Sequence, residues 1–105
     1  MAHSPRKDRN FFKKIQVSDT AFINAQLVKW TFASIGIALL VESDNPNDAV
    51  QYSFDGGENI HGDLTPGLPS EGIIFDNRIE NNVVFRRISS GSAVTVRVEA
   101  WRHSA

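Results

Sequence analysis

The run Val94-Thr95-Val96-Arg97-Val98-Glu99-Ala100-Trp101 decides the fold class of this chain. Small and branched apolar side chains alternate in it with polar or larger ones, which is the period of a β-strand with one buried face. We therefore predict a strand from Ala93 to Trp101. One face of that strand carries Val94, Val96, Val98 and Ala100, and the other carries Thr95, Arg97, Glu99 and Trp101.

The same alternation recurs upstream. Val28, Trp30 and Phe32 alternate with Lys29 and Thr31, which predicts a half-buried strand. In the segment 82–88, Val83, Phe85 and Arg87 are expected to face away from Val84, Arg86 and Ile88. Further strand-forming runs lie at 11–17, 22–32, 50–54 and 72–76, with Asn24-Ala25 as a break in the second of them.

The run Ile35–Val41 is almost wholly apolar and is placed in the middle of a sheet, with both of its faces covered. A helix over 21–40 is the competing interpretation, against which Gly36 argues. Turn residues gather at 43–48 and 89–92, and glycines and prolines fill a long loop at 55–72. Seven or eight short strands joined in this way predict an all-β fold, an antiparallel β-sandwich or jelly roll.

Length and composition set the domain count. The 105 residues suffice for one domain, which we place at 11–105, preceded by a flexible basic arm at 1–10. The absence of cysteine excludes disulfides, thiolate metal sites and thiol catalysis. A domain this small buries a limited share of its surface, so we expect stabilisation by homo-oligomerisation.

Charge is distributed unevenly along the chain. Residues 1–14 carry five basic side chains against Asp8, and residues 42–80 carry nine acidic side chains against Arg78. Basic ends around an acidic middle favour attraction between copies or to a charged partner surface. The net charge of −1 argues against direct nucleic-acid binding, although Arg86, Arg87 and the arm lysines are the side chains that would meet phosphates. We find no signal peptide and no apolar run long enough to span a membrane, which predicts synthesis in the cytoplasm.

Catalytic signatures are missing from the sequence, and we predict neither an enzyme nor a cofactor. His61 is the one histidine within the body of the domain and is interpreted as an ordinary loop residue. The loop carboxylates Asp55, Glu58 and Asp63 raise the alternative of a calcium site, but their spacing does not match an EF-hand. A small hydrolase or isomerase with a carboxylate site remains a third-ranked alternative.

Aromatic residues raise a second function class, a carbohydrate-binding β-sandwich module. Tyr52, Trp30 or Trp101 would stack on sugar rings in such a module, with Phe54 nearby. The competing interpretation places these rings in the core or in a subunit interface.

Four stretches together resemble small structural proteins of tailed bacteriophages. They are Val50–Gly56 (VQYSFDG), His61–Gly67 (HGDLTPG), Gly72–Arg78 (GIIFDNR) and Val94–Trp101 (VTVRVEAW), within residues 28–101. The resemblance implies a β-sandwich virion protein, a capsid decoration (cement) protein often arranged as a trimer, or a neck, tail or fibre-base component. Its expected partners are copies of itself and the major capsid or neck and tail proteins, and its expected location is the virion.

On this hypothesis the residues that contact the partner fall in two regions. The first is the basic arm and the strand after it, and the second is the loop around His61. The predicted contact residues are Arg6, Lys7, Arg9, Phe11, Phe12, Lys13, Lys14, His61, Asp63, Leu64 and Pro66.

Overall fold

The computed structural model describes residues 9–43, 45–66 and 72–103. Eight strands and one short 3-10 turn, Asn24–Gln26, make up the regular structure of these residues. The predicted all-β class is therefore confirmed, and the helix over 21–40 is wrong. The strands are β1 (Arg9–Val17), β2 (Leu27–Ser34), β3 (Gly36–Glu42), β4 (Val50–Ser53), β5 (Gly62–Leu64), β6 (Ile73–Phe75), β7 (Glu80–Arg87) and β8 (Val94–Arg102).

The strands form two antiparallel four-stranded sheets. The order is β1-β8-β3-β6 in the first sheet and β2-β7-β4-β5 in the second. Strand 1 pairs with 8, 2 with 7, 3 with 6 and 4 with 5, so the chain is a long folded ribbon rolled into two layers. That nested pairing is the topology of an eight-stranded jelly roll.

The core lies between the two sheets and is built from the predicted alternation. Val94, Val96, Val98 and Ala100 of β8 are all buried, as are Val83 and Phe85 of β7. The second sheet contributes Val28, Trp30, Tyr52 and Leu64 to the same cluster. Each sheet therefore turns one apolar face toward the other, and their burial is the main source of stability.

Strand β3 occupies the predicted central place, between β8 and β6. Ile37, Leu39 and Val41 point into the core. The expectation that both faces of this strand are covered is wrong, because Ala38 and Leu40 on the opposite face remain partly exposed. An apolar central strand thus presents one face to solvent.

Boundaries differ from the expectations at four places. The run 22–32, predicted as one strand or two, becomes a strand only at Leu27, after the 3-10 turn Asn24–Gln26 that contains the predicted break at Asn24-Ala25. Strand β1 begins at Arg9, two residues inside the predicted arm, and residues 1–8 lie outside the described residues. The predicted 55–72 loop contains strand β5, which pairs with β4. Strand β7 begins at Glu80 because its first residue pairs with Ser34 of β2.

Two buried polar side chains hold the connections between strands. The Gln26 amide accepts hydrogen bonds from the backbone N–H groups of Ser18 and Asp19 and donates to the Phe85 carbonyl at 2.8 Å. Arg87 donates to the Asp48 carboxylate at 3.2 Å and to the Ser92 carbonyl. Gln26 and Arg87 are 2% and 3% exposed, and their buried and partly buried hydrogen bonds fix the β1–β2, β3–β4 and β7–β8 connections.

Candidate binding face

The outer face of the β1-β8-β3-β6 sheet combines apolar and charged side chains in one ordered array. We call it the outer face. It consists of the residues that alternate with the buried ones, so their side chains point away from the core. They are Asn10, Phe12, Lys14 and Gln16 of β1, Thr95, Arg97, Glu99 and Trp101 of β8, Gly36, Ala38, Leu40 and Glu42 of β3, and Ile74 of β6.

A shallow trench runs along this face over β3. In the strand register Ala38 lies between Glu99 of β8 and Ile74 of β6, so a small side chain is flanked by two longer ones. The trench has a volume of about 250 Å3. Its exposed lining consists of Ala38, Leu40, Gly72, Ile74, Arg97, Glu99 and Trp101.

Gly36 lets the Trp101 indole lie against the sheet. The two residues are register partners, and a Cβ built on Gly36 would lie 2.0 Å from indole Cε2 and 2.1 Å from Nε1. The Ile35 N–H donates a hydrogen bond to the Trp101 carbonyl at 2.9 Å, and this bond fixes the Trp101 backbone relative to β3. The ring therefore covers the glycine and forms one end of the trench.

Charged side chains of both signs stand along the trench. Arg97 Nε lies 3.7 Å from a Glu99 carboxylate oxygen, and Arg97 Nη1 lies 4.0 Å from a Glu42 oxygen. Both separations exceed a hydrogen bond, so the Arg97 donors and the Glu99 acceptors are not consumed by each other. By contrast, Lys14 Nζ and Glu42 form a close pair at 2.9 Å.

Strand β1 borders the outer face at the sheet edge and contains five of the predicted contact residues. Phe12 is 56% exposed on the outer face. Arg9 and Lys13 are also exposed, whereas Lys14 is tied to Glu42. Phe11 points the other way and packs on Trp30, with ring centroids 5.5 Å apart. The predicted residues Arg6 and Lys7 lie outside the described residues.

The second predicted region does not form one surface. His61 is exposed, but its Nδ1 accepts a hydrogen bond from the Phe54 N–H at 3.1 Å, and the two rings pack edge to face. Asp63 is exposed and accepts a hydrogen bond from the Gln51 amide. Leu64 and Pro66 are buried and offer no surface to a partner. These four residues were grouped because they are close in the chain. The alternation of side chains along β5 turns Asp63 outward and Leu64 into the core.

Asp55 organises the turn that precedes this region. Its carboxylate accepts hydrogen bonds from the Ser53 hydroxyl at 2.6 Å and from the backbone and side-chain N–H groups of Asn59. These bonds, the Ser53 bond first, hold the pKa of Asp55 well below its ordinary value. Within residues 9–43, 45–66 and 72–103 no three histidine or carboxylate side chains gather as metal ligands, so Asp55, Glu58 and Asp63 do not form the calcium cage considered above.

Of the three residues predicted to stack on sugar rings, two are buried in the core and one is partly exposed. Trp30 and Tyr52 are 5% and 4% exposed and fill the core. Burial raises the pKa of the Tyr52 hydroxyl, a shift that Arg78 opposes and Asp63 reinforces. Trp101 is the remaining predicted ring, and it is partly exposed in the trench.

The arginines considered as phosphate ligands are occupied by the fold. Arg87 is buried and donates a hydrogen bond to Asp48 in the connection between β3 and β4. The Arg86 guanidinium lies 4.7 Å from the centroid of the Phe22 ring and donates a hydrogen bond to Gln51.

No helix among the described residues is long and apolar enough to cross a bilayer.

Comparisons of this chain with protein-family models, with curated proteins and with solved structures give no match. The trench was not predicted from the sequence. The pattern that could have indicated it is the small pair Gly36 and Ala38 within an otherwise bulky apolar run.

Proposed function

We propose that this protein is a non-enzymatic structural component of a bacteriophage particle. In this proposal it binds and stabilises an assembled capsid, neck or tail, and it attaches through β1 and the basic segment before it. Copies associate with one another on the particle, as the small size of the domain favours.

The fold is compatible with this role. Jelly rolls occur in viral capsid proteins, and they also occur in lectins and cupins, so the architecture alone does not select among these functions. The sequence resemblance to tailed-phage structural proteins favours the first of the three classes.

The observation that carries the proposal is the exposed Phe12 ring on an edge strand that also carries exposed cations. Phe12 is 56% exposed on the outer face, and Arg9 and Lys13 are exposed on the opposite side of the same strand. A partner that covers this edge would meet an aromatic anchor and two cations. This edge fits an acidic partner surface that offers an apolar pocket.

Contact through side chains fits β1 better than addition of another strand. Lys13 stands at an inward position of β1, as its register partner Val98 is buried, yet Lys13 is exposed because β1 is an edge. A charge at an inward position of an edge strand opposes pairing with a further strand. The partner would therefore cover the side chains of β1 rather than extend the sheet.

Incorporation of tagged variants into particles tests this proposal. Tagged wild-type chain would be expressed in cells that produce the particles, alongside a Phe12→Ala/Lys13→Ala variant. Lys29→Ala, an exposed lysine on β2 of the other sheet, is the matched control. We expect wild type and control in the purified particles and little of the double variant. Equal incorporation of all three would exclude β1 as the attachment surface.

A further inference from the structure

We propose that the trench over β3 is a binding site for a neutral oligosaccharide, with the Trp101 indole as its stacking platform. This inference goes beyond the structural role proposed above and does not depend on it. It assigns a ligand class to the trench over β3, a strand that β8 separates from β1 in the sheet order.

The shape of the trench suits a flat ring. Ala38 keeps its floor close to the β3 backbone, and Leu40 and Ile74 rise beside it. At about 250 Å3 it is smaller and more open than the enclosed pockets of about 300–1,000 Å3 that engulf small molecules. From Arg97 to Trp101 the flanking strand extends about 13 Å at the usual rise per residue, enough for more than one sugar ring.

The Trp101 indole supplies the apolar contact that sugars use. Its Nε1–Cε2–Cζ2 side lies nearest to Gly36, and the Trp101 side chain remains partly exposed to solvent. The C–H bonds on one face of a pyranose form an apolar patch that packs on such a ring, whose face is electron-rich.

The polar groups beside the indole match hydroxyls better than a charged ligand. Arg97 only donates hydrogen bonds and Glu99 only accepts them, whereas a sugar hydroxyl does both. Their charges balance, so the trench has no net attraction for an anion or a cation. Because their mutual separation of 3.7 Å exceeds a hydrogen bond, both groups keep capacity for a ligand.

The partly exposed apolar strand is further support. Central strands with two apolar faces are ordinarily covered on both, yet Ala38 and Leu40 remain partly exposed. A ligand with one apolar face and a hydroxylated rim would cover them and leave Arg97 and Glu99 hydrogen-bonded.

Indole N–H signals in two-dimensional 15N–1H NMR test the proposal on the whole protein. The two tryptophans give two such signals, and Trp30 serves as an internal reference because it is buried and donates from Nε1 to the Glu80 carbonyl. The probes are cellotetraose, chitotetraose, mannotetraose and galactotetraose, each added to about 10 mM so that millimolar affinities are detected. We expect a saturable shift of the Trp101 signal with at least one probe and a constant Trp30 signal.

Variants assign the site. Arg97→Ala should weaken the affinity by about tenfold, and Trp101→Ala, followed through backbone amide signals, should weaken it by more. Gly36→Ala should also weaken it, because it displaces the indole without removing it. Thr95→Ala, on the same face of β8 but outside the trench lining, should bind as wild type does.

Three results would overturn the assignment. The first is the absence of a Trp101 shift with all four sugars. The second is binding that persists undiminished in Trp101→Ala. The third is a Trp101 signal that moves with protein concentration in the absence of sugar, which would show that a second copy occupies the trench.

Discussion

Gly36 and Trp101 are register partners in the β3–β8 pair, and the indole occupies the space in which a side chain at position 36 would stand. The position of the aromatic platform at one end of the trench follows from this relationship. It also makes the geometry of the outer face open to a simple mutational test.

Substitution Gly36→Ala should move the indole. The new methyl would lie 2.0 Å from Cε2, so the ring must swing away from the sheet. We expect a loss of about 1 kcal/mol in the free energy of unfolding, at the lower end of overpacking costs, and a red shift of tryptophan emission. Urea unfolding followed by fluorescence measures both.

The control for that experiment is a double-mutant cycle. In Gly36→Ala/Trp101→Ala the clash is absent, so the alanine at 36 should cost less than it does beside the indole. Equal costs in the two backgrounds would show that the ring does not lie on Gly36.

Gln26→Leu should be among the more destabilising substitutions of a polar residue. It removes the acceptor for the Ser18 and Asp19 N–H groups, at a partly buried site, and a donor to the Phe85 carbonyl, at a buried one. We expect a loss of about 3 kcal/mol, since unsatisfied buried groups keep their desolvation cost. Gln16→Leu, at an exposed glutamine on β1, should change stability by less than about 0.5 kcal/mol. Similar losses in the free energy of unfolding for the two variants would show that the Gln26 hydrogen bonds do not hold the β1–β2 connection.

The Arg87–Asp48 pair should matter more than the surface pair Lys14–Glu42. Asp48→Ala leaves the guanidinium, 2% exposed, without its carboxylate. We expect a loss of about 2–3 kcal/mol, below the full cost of breaking a buried pair because Asp48 itself is 24% exposed. Glu42→Ala should cost at most about 1 kcal/mol. Chemical denaturation of both variants in the same buffer gives the comparison, and a reversed order would refute it.

Asp55 should contribute to loss of stability in acid. Its folded-state pKa is depressed, so its contribution is fully present above its unfolded pKa, near 3.9, and is lost as pH falls below that value. Asp55→Asn should therefore be less stable than wild type at neutral pH, and the difference should shrink as the solution is acidified. Thermal unfolding across this pH range measures it, and a difference that grows in acid would contradict the sign.

Local pattern was sufficient to predict the fold class. The alternation in Val94–Trp101 and around Trp30 was confirmed because one face of each strand is buried against the other sheet. Strand β5 was missed since Gly62–Leu64 has no strand pattern of its own and is extended only because β4 pairs with it. The ends of β1 and β7 likewise depend on partners distant in the sequence.

Less of the candidate site than of the fold could be predicted from the sequence. The pattern placed Arg97, Glu99 and Trp101 on one face of their strand, but it did not show that Gly36 and Ala38 lie beside them. That neighbourhood depends on strand order, which joins residues more than 60 positions apart. In the same way, Leu64 was grouped with exposed loop residues although β5 turns it into the core.

The central claim, that this chain is a component of a phage particle, is tested most directly by the chain's copy number in native particles. Particles from the source lysate would be banded on a density gradient, and the chain would be quantified by mass spectrometry across the fractions against the most abundant particle protein. The account predicts a constant, high ratio through the particle band. Recovery of the chain only in the soluble fractions would contradict it.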